Sequence, residues 1–148
     1  MRLLITFVAL SMTTWAADFL GTWKWNLEKT TLTPLPKAAT TTREANGPDG
    51  VKSSTTITSQ SGAVNTWGYT AKYDGKEYSV TGNQNFDTIA LKREDANTTR
   101  IEVHKKGGKY HTVGRAVVSQ DGKTVTLNTK GIDKDGKPLT QTIVYEKQ

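Results

Sequence analysis

The sequence predicts an all-β domain built from antiparallel hairpins. Three observations carry this reading. Asp-Gly and Gly-Gly pairs recur at short intervals, at Asp49-Gly50, Asp74-Gly75, Gly107-Gly108, Asp121-Gly122 and Asp135-Gly136, and such pairs tolerate the positive φ of tight hairpin turns. The runs between them are rich in Thr, Val, Ile and Tyr and alternate in polarity, which is the period of a half-buried strand. Helical spacing of apolar residues is scarce, and the one ambiguous stretch, Leu27–Ala39, holds Pro34 and Pro36, which break a long helix.

Taken in order, the alternation predicts strands over Leu20–Trp25, Thr40–Asn46, Val51–Ser59, Val64–Tyr73, Glu77–Val80, Thr88–Arg93, Arg100–Lys105, Tyr110–Ser119, Thr124–Lys130 and Thr140–Lys147. The first sets Gly21, Trp23 and Trp25 on one parity, and the fourth sets Trp67, Tyr69, Ala71 and Tyr73 on one face. Leu27–Ala39 reads as an extended loop, the longest connection in the domain, and long loops often carry function. A meander leaves two exposed edges unless it closes. Closure into a barrel removes them and makes the first and last strands neighbours. A two-sheet β-sandwich is the competing arrangement, and periodicity does not separate the two.

The chain of 148 residues opens with a basic Met1-Arg2, an uncharged, mostly apolar run from Leu3 to Met12, and small residues around Ala16-Ala17. That is the three-part pattern of a secretory signal. The expected organisation is a signal peptide over 1–16 and one domain over 17–148, secreted or held in a bacterial periplasm. The apolar run is well short of the ~20 residues that span a bilayer, so no stable membrane insertion is expected after cleavage. Cysteine is absent, which excludes disulfides, thiol catalysis and zinc–cysteine sites. The net charge of +6 rests on lysines in turns and at alternate strand positions. With no aromatic-interleaved basic stripe, nucleic acid is not an expected partner.

Residues able to do chemistry are sparse. His104 and His111 flank the Gly107-Gly108 turn, with Glu102 the nearest carboxylate. A metal site normally takes three or four protein ligands, so neither a metal nor another cofactor is expected. There is no Gly-x-Ser-x-Gly elbow, and Glu77, Glu94 and Asp95 are scattered. The chain is therefore not read as an enzyme. Aromatic residues are the stronger feature, because Trp67, Tyr69, Tyr73 and Tyr78 crowd one hairpin around Asp74-Gly75, either to fill a core or to line a pocket. Arg115 lies between Val113 and Val117 on one strand parity. It either reaches solvent or is buried, where it could hold an acidic group bidentately.

Gly21–Lys24 (GTWK), 73–82 (YDGKEYSVTG), Leu91–Arg93, Asp121–Thr124 and Val144–Lys147 together resemble a group of small bacterial exported lipocalin-like proteins of the calycin superfamily. The resemblance spans the mature chain. It implies a calycin-like up-and-down barrel of about eight to ten strands, with Gly21 bending the chain and Trp23 plugging the closed end. Together with the aromatic hairpin and Arg115, it leads to the expected function, binding of a small apolar or amphipathic ligand by a monomer, with Trp67, Tyr69, Tyr78 and Arg115 as the candidate contacts. In calycins a basic residue from a late strand also covers the first-strand tryptophan, which is the structural role open to Arg115. The related fatty-acid-binding proteins end on Arg-x-Tyr, which grips a carboxylate. Here Ile143 stands two positions before Tyr145, so that grip is missing. The alternative is a structural or interaction module of the envelope, such as an inhibitor or stress-related protein, with a filled core.

Overall fold

A meander of strands must dispose of its two edges, and this chain does so by pairing its beginning with its end. The computed structural model of the protein describes residues 19–148; the signal segment expected over residues 1–16 lies outside them. Ten strands follow one another: β1 (Gly21–Trp25), β2 (Ala38–Ala45), β3 (Gly50–Thr58), β4 (Val64–Lys72), β5 (Asp74–Thr81), β6 (Thr88–Arg93), β7 (Thr98–His104), β8 (His111–Val118), β9 (Thr124–Ile132) and β10 (Pro138–Lys147). Each pairs antiparallel with the next, and β1 pairs with β10, Trp23 opposite Lys147 and Trp25 opposite Tyr145. The sheet is a closed antiparallel up-and-down barrel, not a sandwich.

The alternation locates every strand, and Thr88–Arg93 coincides with β6. The short segment expected at Glu77–Val80 extends in both directions to become β5. No described residue is helical. The stretch after β1 instead runs alongside β10: Asn26 N–H donates to the Val144 carbonyl and Thr31 N–H to that of Thr142. Ladder lengths are uneven. β3 and β4 pair continuously from Gly50–Lys72 to Thr58–Val64, whereas β4 and β5 pair only at Gly68–Thr81 and Tyr69–Val80.

One end of the barrel is plugged. Gly21 has φ +100°, a backbone region that disfavours a side chain, and it turns the chain so that Phe19 folds in beneath the first strand. Trp23 has no exposed surface. Its Nε1–H donates to the Leu20 carbonyl at 3.1 Å, and the Phe19 ring meets it edge-on at 5.2 Å. Val51, Leu91 and Val125, each fully buried, complete this packed end. The inner face is also polar in places. Trp25 Nε1–H donates to Thr41 Oγ1 at 3.1 Å, and Thr41 Oγ1 lies 2.9 Å from Thr55 Oγ1, so these buried groups satisfy one another.

Where β8 meets β9 the backbones approach too closely for side chains. A Cβ on Gly114 would drive into the Asn128 carbonyl and sit 2.7 Å from Thr129 Cα. Overpacking of this kind costs ~1–3 kcal/mol. Gly114→Ala is therefore expected to lower the unfolding free energy by about that amount, read as a lower urea midpoint with an unchanged slope.

Candidate functional site

The barrel is packed at one end and hollow towards the other. Between the plug and the mouth lies a cavity of about 170 Å³, lined by Trp25, Arg43, Trp67, Tyr69, Phe86, Tyr110 and Tyr145 among others. That is several times the ~30 Å³ share of a liquid water molecule. A larger cleft of about 320 Å³ lies outside the plugged end, between Leu20, Pro48 and Tyr73. The two differ in chemistry. Among the described residues, the buried side-chain polar atoms without a hydrogen-bond partner are Arg43 Nε and Trp67 Nε1, and both residues line the interior cavity.

Arg43 stands on β2 opposite Gly21, on the inward parity with Ala39 and Thr41. It is 7% exposed. Its guanidinium carbon lies 3.7 Å from the Phe19 ring centroid, and Nη2 donates to the Tyr69 hydroxyl at 2.9 Å. No carboxylate of a described residue pairs with it. An arginine does not shed its charge inside a protein, so this is a buried cation held by a ring face and a phenol. Tyr145 is close by, edge-on to Phe19 at 5.0 Å and to Trp25 at 5.6 Å. Burial pushes its phenol above the usual tyrosine range, more than the neighbouring Arg43 charge draws it down, so it stays neutral.

Nearer the mouth the lining is aromatic. Trp67 stacks on Tyr69 with centroids 6.3 Å apart, and Phe86, from the β5–β6 loop, meets Trp67 edge-on at 5.3 Å. Phe86 in turn stacks on Tyr110 at 5.9 Å. The loop is held by Asn83, whose Oδ1 accepts from the Asn85 and Phe86 amides. Asp87 anchors its far side by accepting from Lys106 N–H, the bond that chiefly draws the Asp87 carboxyl below the ordinary range.

Of the residues singled out in the sequence, Trp67 and Tyr69 line this cavity. Tyr78 does not. Its strand leaves β4 after two residue pairs; its half-buried ring packs against the core away from the cavity lining, and its hydroxyl donates to Asp74 Oδ2 at 2.7 Å. Arg115 also lies elsewhere, on the outer face with its side chain 59% exposed. Its Nε and Nη2 donate to Glu94 at 2.7 and 3.1 Å. It therefore neither reaches a barrel ligand nor covers Trp23, whose ring faces Lys147 at 5.7 Å. The inward parity of β8 is instead Thr112, Gly114, Ala116 and Val118, and Val117 points outward, 44% exposed. His104 and His111 face each other across β7 and β8 with ring centroids 5.6 Å apart. His111 Nε2 lies 2.8 Å from Glu102 Oε1. Among the described residues no three His, Asp or Glu side chains converge as a metal site.

Fold and cavity together define a class, the calycin-like closed barrels. Among solved structures, the chain is similar to the fluorescent protein UnaG in two mutant forms, each with one asparagine replaced. The form with glutamine in its place matches with 10% identity and a TM-score of 0.56, over 87% of this chain and 95% of that one. The form with alanine there matches with 9% identity and a TM-score of 0.58, over 88% and 96%. At such identity the likeness is one of fold. No protein-family model and no curated protein sequence matches the chain.

The Arg115 hydrogen bonds hold the Glu94 carboxyl below its ordinary range. Their contribution is thus present above the ordinary carboxylate range and is lost as pH falls through the depressed value. In Arg115→Ala, an NMR pH titration is expected to find Glu94 moved up towards an unperturbed glutamate, with global stability close to unchanged, as for an exposed pair.

Proposed function

We propose that this protein is an exported lipocalin-like barrel, secreted or periplasmic, that holds one small, partly apolar ligand in its cavity as a monomer. The observation that carries the reading is the cavity itself, whose lining includes Arg43 and Trp67, each with a buried N–H left without a partner. A buried donor without an acceptor costs ~1–3 kcal/mol, and a ligand with acceptor atoms would recover that. The alternative of a structural module with a filled core has no use for such donors. A binding role is also favoured over acid–base catalysis, because the cavity lining contains no His, Asp, Glu or Lys among the described residues. The export part of the proposal rests on the signal pattern of residues 1–16.

Two measurements test it. N-Phenyl-1-naphthylamine, a neutral dye that brightens in apolar surroundings, is expected to bind one per chain. Leu127→Trp, which places an indole into the cavity, is expected to weaken that binding on the order of tenfold or more, ~1.4 kcal/mol, while Arg115→Ala leaves it unchanged. Absence of binding by this dye and by the smaller 2-naphthoate and 2-naphthamide, or equal dye binding by the filled variant, would sink the cavity reading. Intact mass measurement of protein recovered outside the cytoplasm is expected to place the new N-terminus at Ala17. A cytoplasmic, full-length chain would remove the export reading.

A further inference from the structure

The two partnerless donors sit at different depths, and this says what kind of molecule the cavity takes. We propose that the ligand is a compact organic acid, its anionic group on Arg43 deep in the barrel and its flat apolar body among Trp67, Phe86 and Tyr110. The inference rests on the ligand-binding reading above and deepens it.

The charge comes first. A buried guanidinium normally has a carboxylate beside it, because an uncompensated charge in a low-dielectric interior is costly. Arg43 has a ring face from Phe19 and one hydroxyl from Tyr69, and neither carries negative charge. The edge of the guanidinium formed by Nε and Nη2 is the one that docks a carboxylate side-on. Arg115 uses that edge on Glu94. On Arg43 the same edge has Nε buried without a partner and Nη2 engaged only by a phenol, so no acid of the protein fills it. No acid among the described residues lines the cavity to oppose an anion, and the chain's net +6 charge favours its approach.

Size and shape come next. The 170 Å³ cavity is below the ~300–1,000 Å³ of pockets for drug-sized ligands, so it suits a ring-sized acid and not a long acyl chain. Ile143, two residues before Tyr145, is apolar and lines the cavity, so the cationic anchor comes from β2 and not from the last strand. Trp67 is nearer the mouth than Tyr69 on β4, and its buried indole N–H also lacks an acceptor within the protein. The planar walls supplied by Tyr69, Trp67, Phe86 and Tyr110 favour a flat body, which can stack or meet them edge-on.

Calorimetry on the mature protein with 2-naphthoate, its neutral amide 2-naphthamide, and palmitate tests the inference. The acid is expected to bind roughly 10- to 100-fold more tightly than the amide at pH 7, as loss of a charge-assisted pair implies. That advantage is expected to vanish in Arg43→Gln and to survive in part in Arg43→Lys. Equal affinity for acid and amide in the unaltered protein overturns the acid assignment and leaves the cavity reading standing, a result that does not depend on any variant folding. Palmitate binding more tightly than naphthoate overturns the compact shape. If neither naphthyl compound nor N-phenyl-1-naphthylamine binds, the ligand-binding reading fails with it.

Discussion

The pairing of β1 with β10, Trp23 opposite Lys147, joins residues from the two ends of the described chain and removes both edges of the meander. With the ring closed, alternate side chains of every strand share one interior. That interior must be filled, satisfied or left hollow, and this protein does all three in sequence along the barrel axis. Phe19, Trp23, Val51, Leu91 and Val125 fill the plugged end. The Trp25–Thr41–Thr55 hydrogen bonds satisfy the polar wall. Arg43 and the aromatic residues above it surround the hollow.

The hollow is where the fold departs from maximal stability. A core built only for packing would place an apolar side chain at position 43 and leave no indole N–H unpaired at position 67. The Phe19 ring that supports Arg43 also helps to cover Trp23. The same residue that seals the barrel therefore holds the cation in place.

Much of the fold is legible because its punctuation is local. Asp-Gly turns and alternating Thr, Val and Ile are read within a few residues, and all ten strands emerge from them. The site is less legible because it is made between strands. On β8 the more hydrophobic parity, Val113 and Val117, faces outward. The inward one is Thr112, Gly114, Ala116 and Val118, thinned because Gly114 lies hard against the β9 backbone. Hydrophobic contrast therefore puts Arg115 on the wrong face. Arg43 escapes a reading of the sequence because its strand, AATTTREA, shows no hydrophobic contrast at all: Ala39 and Thr41 face inward, Thr40 and Glu44 outward. Only the neighbouring β1, with Trp25 reaching Thr41, reveals which side is the interior. Trp67 and Tyr69 stand out because bulky aromatics at alternate positions mark an inner face without help from a partner strand.

The two-pair ladder between β4 and β5 gives the ring one compliant joint. Few backbone hydrogen bonds are lost when strands part there, and the ladders on either side are longer. Tyr69 lies in one of the two pairs and holds Arg43 through its hydroxyl. The short seam and the grip on the buried cation thus share one residue, and parting of the strands there would carry the Tyr69 hydroxyl with it.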